Sequence, residues 1–266
     1  MSLQLLSGAR HVDVNGYQCS IWSQGEGRRI FWLASSPLLL KPTRFRDEVA
    51  ASAELVTCAL PGFPGSEGHD YLDVQLDWCL AARDLLVAAG FQPGDTLMGS
   101  ATAGAIAADV AALWSDWVGK LVLLAPFGLF DMEDQPADMF AVRPKEAAAL
   151  FSIDPAAYAE HLKAPAGTEP VLWQIIATRG NEAAARFLWP LGDTRLKKRL
   201  HRIRNKTLLV WGAQDRVMPP SYAKRFHAGI TGESEIVLIP DAGHLVEFDQ
   251  PAAVAAAVLA FLGQKG

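Results

Sequence analysis

The sequence predicts an α/β fold in which a mostly parallel central sheet is flanked by helices and carries an inserted helical unit. Three observations lead there. Short β-type runs alternate with helical patterns at both ends of the chain, the order that parallel strands and their crossovers require. That alternation stops between residues 127 and 204, where helical patterns and Pro136, Pro144, Pro155, Pro165 and Pro170 occur without a convincing strand. Half of the 266 residues are hydrophobic and a fifth are charged, a balance that supports a sizeable core and argues against disorder.

In chain order, YQCSIWS, RIFWLAS, ELVTCAL, DTLMG and KLVLLAP read as strands of the first half, and KTLLVWG and SEIVLIP as two more near the end. Leu72, Leu76, Leu80 and Val87 recur at helical spacing before Gly90, a natural helix stop. Ile106, Val110 and Trp114 mark a second helix, and Val254, Val258 and Phe261 a last one. The apolar residues of these helices are assigned to the core. The expected core is therefore 1–126 with 205–266, and 127–204 is the insertion. Its aromatic residues, among them Phe130, Phe140, Phe151, Tyr158, Trp173, Phe187 and Trp189, either roof a pocket or form the insertion's own core. In RLKKRLHRIRNK, Arg195 to Lys206, a helix would bury Leu196, Leu200 and Ile203 and leave the basic side chains in solvent.

A net charge of −5 supplies no global attraction for nucleic acid or an anionic membrane, so a small molecule is the expected partner. Cys19, Cys58 and Cys79, odd in number and widely spaced, fit neither a disulfide framework nor a zinc site and read as inert buried thiols. No export signal or membrane-spanning run is read in the chain, so the expected location is the cytoplasm. Oligomeric state is not legible.

The chemistry concentrates in LMGSATAG, Leu97 to Gly104. A strand, a sharp turn of small residues and a helix are the context in which a nucleophile is mounted on a strained elbow. Gly99 and Ala103 stand two residues either side of position 101, so the apex is Ala101, not Ser100. Asp215 follows the strand KTLLVWG and His244 follows SEIVLIP, both beyond the carboxyl ends of core strands, where open α/β sheets bind ligands. A carboxylate on one imidazole nitrogen would fix the tautomer and leave the other nitrogen as a general base.

RIFWLAS, LPGFPGS, the elbow, WGAQD, AGHL and the helix after FDQP, in this order, resemble the α/β-hydrolase fold superfamily of the serine-hydrolase type with a helical cap. The resemblance spans nearly the whole chain. It implies Asp215 as orienter and His244 as proton-transfer group, with Asp131 as the backup acid. It also implies an oxyanion hole from the backbone N–H of Thr102 and a second donor at Ser36, where the family often has a His-Gly pair; the alternative for the serines of WLASSP is that they only cap the turn before Pro37. No metal or organic cofactor is implied. A serine at 101 would give hydrolysis of an ester, lactone or related carbonyl of a small apolar molecule. Alanine there leaves three readings open: an engineered serine-to-alanine knockout, a natural site using the His244/Asp215 dyad for lyase-like or cofactor-free oxygenase chemistry, or a protein that only binds its ligand.

Overall fold

The computed structural model describes residues 8–35, 41–165, 167–190 and 192–263, without the side chains of residues 144 and 145. Eight strands form one sheet in the order β1-β2-β4-β3-β5-β6-β7-β8. They are β1 (Ala9–Val14), β2 (Tyr17–Gln24), β3 (Arg29–Ala34), β4 (Glu54–Ala59), β5 (Thr96–Ser100), β6 (Lys120–Leu124), β7 (Lys206–Gly212) and β8 (Ser234–Ile239). β2 runs antiparallel to both its neighbours, and every pairing from β4 to β8 is parallel.

Alternate side chains of the central strands feed two separate cores. Phe31, Leu33, Leu97, Leu209 and Trp211 pack on one face with α2 (Gln75–Ala89), α3 (Ala101–Leu113) and α7 (Ser221–Gly229). Ile30, Trp32, Met98, Leu208 and Val210 pack on the other with α1 (Arg44–Ala50) and α9 (Pro251–Gly263). Burial on both faces is why these strands read as continuous apolar runs. Val254, Val258 and Phe261 are buried as expected, and so are Ile106 and Val110; Trp114 is only partly covered.

The first strand escapes the sequence reading. β1 is an edge strand joined to β2 by a hairpin at Asn15-Gly16, whose φ values of 54° and 88° are those of the tight turn that this dipeptide favours.

Helix α2 turns a different face to the sheet from the one its leucine spacing predicts. Leu76, Leu80 and Val87 are 52%, 43% and 52% exposed, while Trp78, Ala82, Leu85, Leu86 and Ala89 are buried. Both sets satisfy helical spacing, and the set with the tryptophan packs against the sheet. Leu72 precedes the helix and lies partly buried on the same core.

Between β6 and β7, among the described residues, lie α4 (Pro144–Phe151), α5 (Pro155–His161) and α6 (Pro170–Leu188), and no strand. The basic run that follows is two short 3₁₀ turns, Leu196–Lys198 and Leu200–Arg202, not one helix. Its apolar residues are buried as read, but Arg199 turns inward: Nε and Nη2 donate to Asp109, which is fully buried in α3, at 2.6 and 3.2 Å. Arg202 donates to the Ala112 carbonyl at 3.0 Å. A desolvated carboxylate needs a partner, and that demand overrides regular helix. Burial pushes the Asp109 carboxyl up and the Arg199 bonds pull it back.

Cys19, Cys58 and Cys79 are free and buried, and desolvation pushes all three thiols up, Cys19 to about 11. Among the described residues no helix is long and apolar enough to cross a membrane.

Candidate active site

β5 delivers the chain to the turn, and small residues let helix α3 start immediately against it. A Cβ on Gly99 would stand 2.7 Å from the Ala103 carbonyl oxygen and 2.9 Å from Gly104 Cα; one on Gly104 would stand 2.8 Å from Pro126 Cβ. Ala101, at the apex, has φ 49°, a left-handed conformation that costs a non-glycine residue about 1 kcal/mol. Its carbonyl accepts from Phe127 N–H at 3.1 Å, fixing the turn to the end of β6.

Thr102 is buried in the first turn of α3, where a helix offers backbone N–H groups no acceptor of its own. The next N–H, of Ala103, donates to Ser35 Oγ at 3.0 Å. Ser36 lies outside the described residues. Ser100 is engaged by two other side chains: its Oγ accepts from Trp32 Nε1 at 3.3 Å and also hydrogen-bonds the Glu247 carboxyl.

The ends of β7 and β8 are sewn together. A Cβ on Gly212 would lie 2.0 Å from the Gly243 carbonyl oxygen, and Gln214 N–H donates to the Ala242 carbonyl at 2.9 Å. This approach brings Asp215 and His244 into contact. His244 Nδ1 is 2.9 Å from Asp215 Oδ2, both side chains fully buried. Asp215 Oδ1 accepts from Val217 N–H at 2.8 Å and Met218 N–H at 2.9 Å. The imidazole lies between Phe127 and Phe151, with ring centroids at 5.1 and 5.7 Å. Its Nε2 is buried with no hydrogen-bond partner among the described residues. A base whose inner nitrogen is held and whose outer nitrogen is free can take a proton.

Asp131 is engaged elsewhere: its carboxylate accepts from Arg225 and its N–H donates to Tyr222 Oη at 2.9 Å. The carboxylate on His244 is that of Asp215.

Two acidic residues near the histidine carried no sequence signal. Glu247 is buried, and desolvation raises its carboxyl to about 7, against the lowering pull of His244 and the Ser100 bond. Asp249 binds the loop of His244. In a sequence, acidic residues on a short helix read as ordinary solvated charges. Among the described residues no group of three or more His, Cys, Asp or Glu could hold a metal ion. Of the aromatic residues between β6 and β7, Phe151 meets His244, Phe187 packs on Trp78 of the sheet's helices at 5.7 Å, and Trp189 is 61% exposed.

A strand order with the second strand reversed, an elbow at Ala101 and a carboxylate–imidazole pair beyond β7 and β8 define an α/β-hydrolase architecture. The chain belongs to the alpha/beta hydrolase family, whose sequence pattern matches residues 19–257. It is 28% identical over 188 residues to 2-hydroxy-6-oxo-6-phenylhexa-2,4-dienoate hydrolase of Comamonas testosteroni, over 64% of this chain and 63% of that protein. The chain thus spans less than two thirds of the length of that curated relative. A serine-to-alanine mutant of the meta-cleavage product hydrolase of Pseudomonas fluorescens IP01, complexed with acetates, superposes with a TM-score of 0.75 at 17% identity, covering 95% of this chain and 97% of that one. The esterase RhEst1 of Rhodococcus sp. ECU1013 gives 0.71 at 18% identity, covering 97% and 100%. At these identities the two structures share the fold, and all three proteins are enzymes of the hydrolase type.

Proposed function

We propose that the site hydrolyses an ester, lactone or related carbonyl bond of a small apolar molecule, through a Ser-His-Asp mechanism whose nucleophile seat, position 101, holds alanine in this chain. The observation that carries this reading is the buried His244: Nδ1 is held by Asp215, and Nε2 has no partner among the described residues. With a hydroxyl at 101, its oxygen attacks the carbonyl carbon while Nε2 takes the proton. The imidazolium then returns that proton to the leaving group, and water repeats the sequence on the acyl intermediate. Thr102 N–H, and the second donor assigned to Ser36, receive the developing oxyanion. Residues 127–204 serve as the cap that shapes the pocket, with Phe127 and Phe151 against the histidine favouring an apolar ligand.

The named substrate of the Comamonas relative carries a ketone between a phenyl group and a diene. A carbonyl with an aryl or conjugated neighbour therefore belongs among the probes. Alanine at 101 forms no acyl-enzyme. What remains in this chain is general-base action of His244 on water or substrate, and the intact Asp215 contact favours that reading as the residual chemistry.

The test is Ala101→Ser, assayed on short and medium nitrophenyl esters, lactones and the dienoate. A rise of about 10⁴-fold or more that is lost on His244→Ala supports hydrolysis. No rise in a folded protein sinks it, and His244-dependent activity already present with Ala101 assigns the chain to dyad chemistry.

A further inference from the structure

His244 is bolted to the segment between β6 and β7 as well as to the sheet. Asp249, the last residue of α8 (Val246–Asp249), accepts at Oδ2 from Gly243 N–H at 2.7 Å and from Ile153 N–H at 3.2 Å. Ser152 Oγ donates to its Oδ1. On the other side of the histidine, Leu245 N–H donates to the Phe151 carbonyl at 3.0 Å. Both chain neighbours of His244 are therefore tied to residues 151–153, the junction of α4 and α5, one directly and one through a carboxylate.

The packing leaves little slack in this tie. A Cβ on Gly243 would stand 3.1 Å from the Phe151 carbonyl oxygen and 3.3 Å from Asp249 Oδ2. Ser152 is 3% exposed, and the Phe151 ring rests on the imidazole. Hydrogen bonds to an ionised acceptor are roughly twice as strong as neutral ones, so three donors converging on one carboxylate make the junction and the histidine loop one unit.

We propose that Asp249 is a positioning residue for the proton-transfer group: it clamps the His244 loop to the α4–α5 junction, so that the register of the imidazole against Asp215 is set by the segment between β6 and β7. This rests on the reading of His244 given above, but its test does not need turnover.

The test uses the whole chain as it stands and reads the His244 Nδ1 proton by NMR, since a buried 2.9 Å contact to a carboxylate gives a low-field, slowly exchanging resonance. Asp249→Ala is expected to speed its exchange with solvent at least ten-fold. Asp249→Asn is expected to keep it, because the amide oxygen can take both N–H groups while its NH₂ faces Ser152 Oγ. An unchanged resonance in a cooperatively folded Asp249→Ala protein overturns the proposal. Should that variant not fold, Ser152→Ala decides: faster exchange supports the clamp, and unchanged exchange overturns it. In the Ala101→Ser background the same Asp249→Ala change is expected to lower kcat at least ten-fold with KM within two-fold. Absence of any activity there counts against the proposed hydrolysis and leaves the NMR result to judge the clamp.

Discussion

Asp215 divides its carboxylate between two tasks: Oδ2 holds His244 Nδ1 at 2.9 Å, while Oδ1 is committed to the N–H groups of Val217 and Met218 at 2.8 and 2.9 Å. The division makes the residue hard to replace by its amide. With Asp215→Asn the oxygen must stay on the two N–H donors, so the NH₂ faces Nδ1. That forces the tautomer with its proton on Nε2, which cannot act as a base. In the Ala101→Ser protein, kcat for an activated ester is expected to fall by about 10⁴-fold with the fold retained. A loss under ten-fold would show that His244 does not depend on this contact.

Glu247 predicts an unusual pH dependence of stability. Its folded carboxyl is raised to about 7 by burial, against an ordinary value of 4.5. A raised acid binds its proton more tightly in the folded state, so its full contribution is present below about 4.5 and is lost as pH climbs to about 7. Across that window the parent should lose on the order of 3 kcal/mol relative to Glu247→Gln, which keeps an acceptor for Ser100 but cannot ionise. Urea unfolding of both proteins at pH 4.5 and 8 measures the difference. Parallel stability curves would remove this assignment.

The orientation of α2 is testable by contrast. Leu80→Ser, on the exposed face, is expected to change stability by no more than about 0.5 kcal/mol. Leu86→Ala, fully buried against the sheet, is expected to cost about 2–5 kcal/mol. Equal losses in denaturant titrations would place the wrong stripe against the core.

The parts that were legible are those with a local signature. KTLLVWG coincides with β7 residue for residue, because a strand covered on both faces needs an unbroken apolar run. The elbow was legible because close strand–helix approach excludes side chains, which Gly99 and Gly104 show as contacts under 3 Å for any added Cβ. β1 is not legible although Asn15-Gly16 carries the hairpin signal, because an edge strand with one wet face lacks that run. The Arg195–Lys206 segment departs from the expected helix because nothing local reveals that Asp109, on a helix far away in sequence, is buried and draws Arg199 inward.

By itself the sequence determined the order of seven of the eight strands, the small-residue turn centred on Ala101 and the placement of Asp215 and His244 after successive strands. All of these follow from local periodicity and from residues too small to obstruct a turn. Only the tertiary structure decided which stripe of α2 is dry, which cation is pulled from solvent, and that Glu247 and Asp249 sit beside the histidine. Those outcomes depend on what a distant element presents across the contact, since desolvation and hydrogen bonding act between surfaces and leave no period in either chain segment.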